Sequence, residues 1–331
     1  MTEKFFTYKG LQIRYLEAIA SSCHEEGRGS QMSADFGDRP CDETNRPLLV
    51  MLHGWGANAD LFAQTIDFLS GAYHVAAPDL PGFGKSQEPV EPYDLNDYVD
   101  FAAAFTNHVI RLKNECQSCG RMDTESAGDN LQAKSKSVQG NDAAGDREPE
   151  VIFLGHSHGG RVILRLLARA AANEAADGIG EGFGFHVNKA ILTDSAGIVP
   201  EKTQAQKKRT ARYKRYKTLL TKTGLTKMAP WLMDRLQKKY GSADYAAASP
   251  VMRQSMVKVV NTDLRAEMPS IRIPVLLIWG DADTATPLSD GKEMERLMPE
   301  AGLAIIPGGT HFCFLENPIL YHRILGSFLG M

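Results

Sequence analysis

The run Val151-Ile152-Phe153-Leu154-Gly155-His156-Ser157-His158-Gly159-Gly160 decides how this chain folds. Its first four residues are all apolar, as a strand covered on both faces requires. Residues 160–172 then read as a helix. Ser157 must therefore stand on a tight strand-to-helix turn, and Gly155 and Gly159 leave room for the backbone to close up. The same turn sets Ser157 at the positive end of the following helix, where developing negative charge is favoured. Ser157 is a candidate nucleophile.

The rhythm continues on both sides. Residues 4–7 and 11–17 read as an opening hairpin around Lys9-Gly10. Leu48–Leu52, His74–Pro78 and residues 190–193, 275–279 and 303–306 read as further buried strands. Helix candidates are residues 59–69, 95–113, 289–297 and Pro318–Leu329. Such alternation predicts an α/β fold, a mostly parallel twisted sheet with helices on both faces.

Some stretches break the pattern. Residues 21–46 and 115–149 are polar, with few large apolar groups, and cannot bury enough surface to offset their ordering entropy. Both are expected to be mobile insertions. Residues 177–185 form a glycine-rich connection. Residues 198–270 are different: Leu219, Leu220, Trp231, Leu232, Met252 and Met256 fall at helical spacings in a basic background. A helical subdomain inserted between two strands is expected there, above the carboxyl ends of the strands where ligands bind in open α/β sheets. Residues 1–197 and 271–331 would then form the core.

Composition bounds the function. The chain has 331 residues, 43% hydrophobic and 23% charged, ordinary for a soluble globular protein. A net charge of -3 predicts no nucleic-acid partner. Residues 201–239 hold thirteen Lys and Arg against Glu201 and Asp234, a local +11 that leaves -14 elsewhere. The simplest reading is a solvated helical face whose long stems cover apolar surface. No run approaches the roughly 20 apolar residues of a membrane span. The opening residues lack the apolar block of a signal peptide, so a cytoplasmic location is expected. The five Cys are odd in number and form no disulfide framework. Cys116-x-x-Cys119 lacks a second Cys or His pair, so no metal site is expected.

Ser157 needs a base. His311, in Gly308-Gly309-Thr310-His311-Phe312, follows the strand at 303–306 and can reach across the sheet's carboxyl end. His156 and His158 flank the nucleophile, but neighbours on a tight turn diverge and no carboxylate accompanies them as a metal set. His53 reads as structural. His24, His74, His108, His186 and His322 lie away from any loop with a chemical signature. The base in turn needs an orienting carboxylate. Asp283 is favoured over Asp281 and the more distant Asp194, because it lies deeper in the loop before the turn at Pro287. Two backbone donors for an oxyanion are expected: the N–H of His158, which follows the nucleophile, and that of Trp55 in His53-Gly54-Trp55-Gly56. The order Ser157, Asp283, His311 belongs to one of several serine-hydrolase folds.

Taken together, His53-Gly54-Trp55-Gly56, Asp79-Leu80-Pro81-Gly82-Phe83-Gly84-Lys85-Ser86, the Ser157 turn, Trp279-Gly280-Asp281-Ala282-Asp283 and the His311 loop resemble the α/β-hydrolase superfamily. The resemblance is to its lidded branch of small-molecule serine esterases and lactonases. It implies that residues 198–270 cap the site. Members with haloalkane or epoxide chemistry carry Asp at the nucleophile position, and Ser157 argues against both. The implied activity is hydrolysis of a carboxylic ester or related acyl bond of a small molecule through an acyl-enzyme, with no metal and no organic cofactor. Lactonase, thioesterase, aminopeptidase and C–C-bond hydrolase variants share the same triad, and a non-catalytic ligand sensor on this scaffold is the remaining alternative.

Overall fold

The chain opens with β1 (Thr2–Tyr8) and β2 (Leu11–Ala18), an antiparallel pair closed by a two-residue turn. Lys9 and Gly10 have φ of 47° and 81°, the left-handed pair that matches the twist of a hairpin. The remaining strands are β3 (Leu48–Leu52), β4 (His74–Pro78), β5 (Glu150–His156), β6 (His186–Thr193), β7 (Val275–Gly280) and β8 (Ala301–Ile306). In this computed structural model the described residues are 1–19, 46–122, 149–175, 182–201, 204–223, 231, 235 and 243–331. Of the expected insertions, residues 21–45 and 123–148 lie outside them, as does part of 198–270, whereas residues 115–122, expected in a mobile insertion, are helical.

Among the described residues eight strands form one sheet in the order β1-β2-β4-β3-β5-β6-β7-β8. β2 meets β4 antiparallel, and every neighbouring pair from β4 to β8 is parallel. The order reverses at β3, so the crevice at the carboxyl ends of β3 and β5 is the topological switch point. Alternate residues of β3 serve different cores. Leu48, Val50 and Leu52 join one buried cluster, and Leu49 and Met51 join the other. A strand between two helical layers has to work this way, because its side chains alternate in direction.

One layer is built by α2 (Leu95–Met122), α3 (His158–Ala175) and α7 (Leu288–Leu297), through Phe101, Phe105, Val162, Leu166 and Met294. The other is built by α1 (Ala63–Ser70) and α9 (Pro318–Leu329), through Ile66, Leu69, Tyr321 and Leu325. Within residues 198–270 the described helices are α4 (Gln204–Lys222), α5 (Ala243–Ala247) and α6 (Pro250–Val260). A short α8 (Cys313–Glu316) precedes α9. α6 is fastened to the core: Ser255 Oγ accepts from Tyr93 N–H at 2.9 Å, and Arg161 Nη1 donates to the Val259 carbonyl at 2.5 Å.

Several elements outrun their sequence signal. α2 continues to Met122, well past residue 113, and therefore carries Cys116 and Cys119 on its last turns. β6 begins at His186, four residues before its apolar run. α3 starts at His158, immediately after the candidate nucleophile.

One polar network anchors the switch point. Arg14 of β2 is buried and donates to Asp79 at 3.2 Å, Glu3 at 3.0 Å and Asp60 at 2.6 Å. Asp79, fully buried, also accepts from the N–H of Ala59 at 2.8 Å and of Lys85 at 2.9 Å. This pins the loop that follows β4, whose Leu80 N–H donates to His53 Nε2 at 2.9 Å. Asp79→Ala should lower the unfolding free energy by about 3 kcal/mol or more, since it strands part of a buried guanidinium and two backbone donors. Urea unfolding checks this, and a loss below about 1 kcal/mol would mean the network is dispensable.

Candidate active site

Ser157 lies between β5 and α3 with φ of 51°, a left-handed conformation that is unusual for a residue bearing a Cβ. Its peptide is held on both sides by the end of β6. Ser157 N–H donates to the Thr193 carbonyl at 3.1 Å, and its own carbonyl accepts from Ala196 N–H at 3.0 Å. The flanking glycines are sterically required. A Cβ on Gly159 would run into the Leu52 carbonyl, and one on Gly155 would lie 2.6 Å from Gly160 N.

Ser157 Oγ is 3.0 Å from His311 Nε2. His311 Nδ1 is 2.8 Å from Asp283 Oδ2. These distances assign the tautomer: Nδ1–H donates to the carboxylate, and Nε2 accepts from the serine hydroxyl. Asp283 has no side-chain exposure. Burial alone would raise its pKa, but the hydrogen bonds from His311 and Thr286 outweigh it and hold the carboxyl below its ordinary value. Its Oδ1 accepts from the N–H groups of Ala285 at 2.7 Å and Thr286 at 3.1 Å, an Asx-type turn. Thr286 Oγ1 lies 2.7 Å from Asp283 Oδ2 and 3.2 Å from His311 Nδ1.

The two other carboxylates weighed from the sequence sit elsewhere. Asp281 Oδ1 accepts from Gly308 N–H at 2.7 Å, lacing the loop after β7 to the loop that carries His311. Asp194, at the end of β6, accepts from Gly280 N–H at 2.8 Å.

The loop after β3 runs close beside Ser157. A Cβ on Gly54 would lie 3.2 Å from Ser157 Cβ and 2.9 Å from His156 Nδ1. Gly54 and Ala57 close a turn at 3.2 Å, with Gly56 at φ 73°, and that bond leaves the Trp55 N–H uninvolved. His158 is the first residue of α3, so its N–H has no intrahelical acceptor. The Trp55 ring packs edge-on against Phe83 at 4.8 Å and against the His158 ring at 5.4 Å.

Three histidines around Ser157 are buried and held neutral. His156 Nε2–H donates to the His311 carbonyl at 2.7 Å, and burial, with His311 nearby, brings its pKa down to about 3. His53 takes the opposite tautomer: Nδ1–H donates to the Gly54 carbonyl at 2.8 Å and Nε2 accepts from Leu80. Burial lowers His53 to about 4, against the weaker opposing effect of the Gly54 bond. Among the described residues the His158 ring has no polar partner on either nitrogen; it stands edge-on to Tyr98 at 4.9 Å, and burial also pushes its pKa down. The sequence pointed to none of the tautomers, and it missed Thr286 altogether. A hydroxyl three residues after Asp283, within reach of an Asx turn, was the available signal.

Among the described residues no group of three His, Cys, Asp or Glu side chains is placed to hold a metal ion. No described helix is long and apolar enough to cross a membrane.

A pH dependence of stability follows. A histidine whose folded pKa lies below its unfolded value near 6.5 contributes stability that is complete above that value and is lost as pH falls toward the folded pKa. His53, His156 and His158 should each remove up to about 1.4 kcal/mol per pH unit between pH 6 and 5. Urea unfolding at both pH values should show the decline, and His53→Asn should make it shallower. A flat profile would contradict three buried neutral imidazoles.

Comparison with known proteins agrees with this architecture. A pimeloyl-[acyl-carrier protein] methyl ester esterase of Nitrosomonas europaea is 25% identical over 282 residues, covering 83% of this chain and 92% of its own. A 3-oxoadipate enol-lactonase of Acinetobacter baylyi is 22% identical over 292 residues, covering 85% of this chain and 88% of its own. The crystal structure of a hydrolase from Pseudomonas aeruginosa superposes with a TM-score of 0.59 at 19% identity, covering 99% of this chain and 98% of that one. Residues 49–322 match the alpha/beta hydrolase family, and the chain belongs to it.

Proposed function

We propose that the chain is a serine hydrolase that cleaves a carboxylic ester, or a closely related acyl bond, of a small molecule. The observation that carries this reading is the continuous chain of hydrogen bonds from Ser157 Oγ through His311 to Asp283, at 3.0 and 2.8 Å. Two family relatives named for methyl-ester and enol-lactone substrates support the bond type.

In this reading Ser157 Oγ attacks the substrate carbonyl while His311 Nε2 takes its proton. Asp283 keeps the imidazole in the receptive tautomer and stabilises the imidazolium that forms. The tetrahedral oxyanion is held by the N–H groups of His158 and Trp55, each worth about 3 kcal/mol of barrier. His311 then returns the proton to the leaving alkoxide. Water, deprotonated by the same imidazole, cleaves the acyl-enzyme and regenerates Ser157. Residues 198–270 act as the cap. What supports this placement is α6, which lies against the loop after β4: a Cβ on Gly82 would collide with the Met252 side chain.

Turnover of short-chain p-nitrophenyl esters tests the roles. Ser157→Ala should abolish it. Asp283→Asn should reduce kcat by about 10³-fold or more, because the imidazole loses its orienting acceptor. Asp281→Asn, at a side chain that accepts from Gly308 N–H, should stay within about tenfold of the parent. Equal losses at the two aspartates would overturn the assignment.

A further inference from the structure

We propose that Asp194 is a positioning residue for the reaction, tying the loop that carries Asp283 to the strand end that brackets Ser157. The inference rests on the serine-hydrolase reading above. It starts from one four-residue segment, Thr193-Asp194-Ser195-Ala196. The segment holds the nucleophile's peptide from one side, through the Thr193 carbonyl at 3.1 Å and Ala196 N–H at 3.0 Å. Asp194 reaches the other way. Its N–H donates to the Ile278 carbonyl at 2.9 Å, and its Oδ1 accepts from Gly280 N–H at 2.8 Å. Its carbonyl lies 3.0 Å from Thr286 Oγ1, the hydroxyl that also sits 2.7 Å from Asp283 Oδ2. That hydroxyl has one proton and shares it between the two oxygens. Asp194 is thus tied to the acid loop at both ends, at Gly280 where it begins and at Thr286 where it closes over Asp283.

The residue type and its strain fit this role. Asp194 has φ of 43°, a conformation that aspartate tolerates better than most residues with a Cβ. It is fully buried, and no cation lies within ion-pair distance of its carboxylate among the described residues. Its second oxygen accepts no hydrogen bond among the described residues, and the weakly donating Cys313 thiol lies beside the carboxyl. Burial pushes the carboxyl up to about 6, and the thiol and Gly280 N–H offset only part of that. An acidic side chain kept in such a place needs a function that its hydrogen bonds supply. Here they set the register between β6 and β7, and that register sets the distance over which a proton passes from Ser157 to His311. A displacement of about 1 Å at such a distance costs on the order of 10²-fold in rate.

Two variants test the role. Asp194→Gly accepts the left-handed backbone and drops the tether, whereas Asp194→Asn keeps an oxygen for Gly280 N–H. The glycine variant should lose about 10- to 100-fold in kcat on a p-nitrophenyl ester with KM within about twofold, and the asparagine variant should stay within about threefold of the parent. The low-field proton resonance of the His311–Asp283 hydrogen bond should persist in the asparagine variant and vanish in the glycine one. A folded glycine variant with unchanged kcat and an intact resonance overturns the proposal, as does an asparagine variant as impaired as the glycine one. If the glycine variant does not fold, deuterium exchange of the Gly280 amide decides. Slow exchange in the parent and in Asp194→Asn upholds the tether, and fast exchange in the parent refutes it. The resonance does not depend on turnover, so failure of the serine-hydrolase reading, seen as activity surviving in Ser157→Ala, stays separable from failure of this one.

Discussion

The left-handed backbone at Ser157, with φ of 51°, costs on the order of 1–3 kcal/mol by itself and persists only because its surroundings over-determine it. Three strand ends supply that constraint. β5 leads in, the last carbonyl of β3 lies against Gly159, and the end of β6 hydrogen-bonds both faces of the Ser157 peptide. A central parallel strand can provide such neighbours on both sides, whereas an edge strand cannot. The fold therefore places Ser157 in the one crevice where strand order reverses.

Everything else in the site is referred to that point. The loop after β3 approaches Ser157 closely because Gly54 has no Cβ, and its path is set by His53, whose two nitrogens join the Gly54 carbonyl to the Leu80 N–H. That bridge needs a neutral imidazole, since Nε2 must accept. Burial supplies it. His311 is fixed twice, by Asp283 at its ring and by His156 at its own carbonyl. The loops after β7 and β8 are laced together by Asp281 to Gly308 N–H and by Ala282 N–H to the Gly309 carbonyl. Asp283 and His311 are thus carried by a coupled pair of loops, so neither position can drift without the other.

How much of this could be read in advance depended on the kind of signal. β3 and residues 151–154 of β5 are uninterrupted apolar runs because helices cover both faces, and such runs stand out in a sequence. The first half of β6, His186 to Lys189, is polar apart from Val187 and gains its strand state from pairing with β5 rather than from its own pattern. The last turns of α2 carry few apolar residues, so no amphipathic pattern announces them as helix. Ser157, His311 and Asp283 were legible because each sits in a glycine-marked loop at a strand end. Thr286 and Asp194 were not, because their contacts depend on which loops meet across the sheet. His158 shows the limit most clearly: its backbone position follows from the turn, whereas the burial of its ring among Trp55 and Tyr98 follows only from packing.

In the function proposed above, this backbone presents Ser157 Oγ as an activated nucleophile. A fluorophosphonate probe, with the modified residue mapped by mass spectrometry, tests it most directly. One adduct per chain is expected, on Ser157, forming much more slowly in His311→Ala. A folded protein that takes no label, or takes it on another residue, would contradict it.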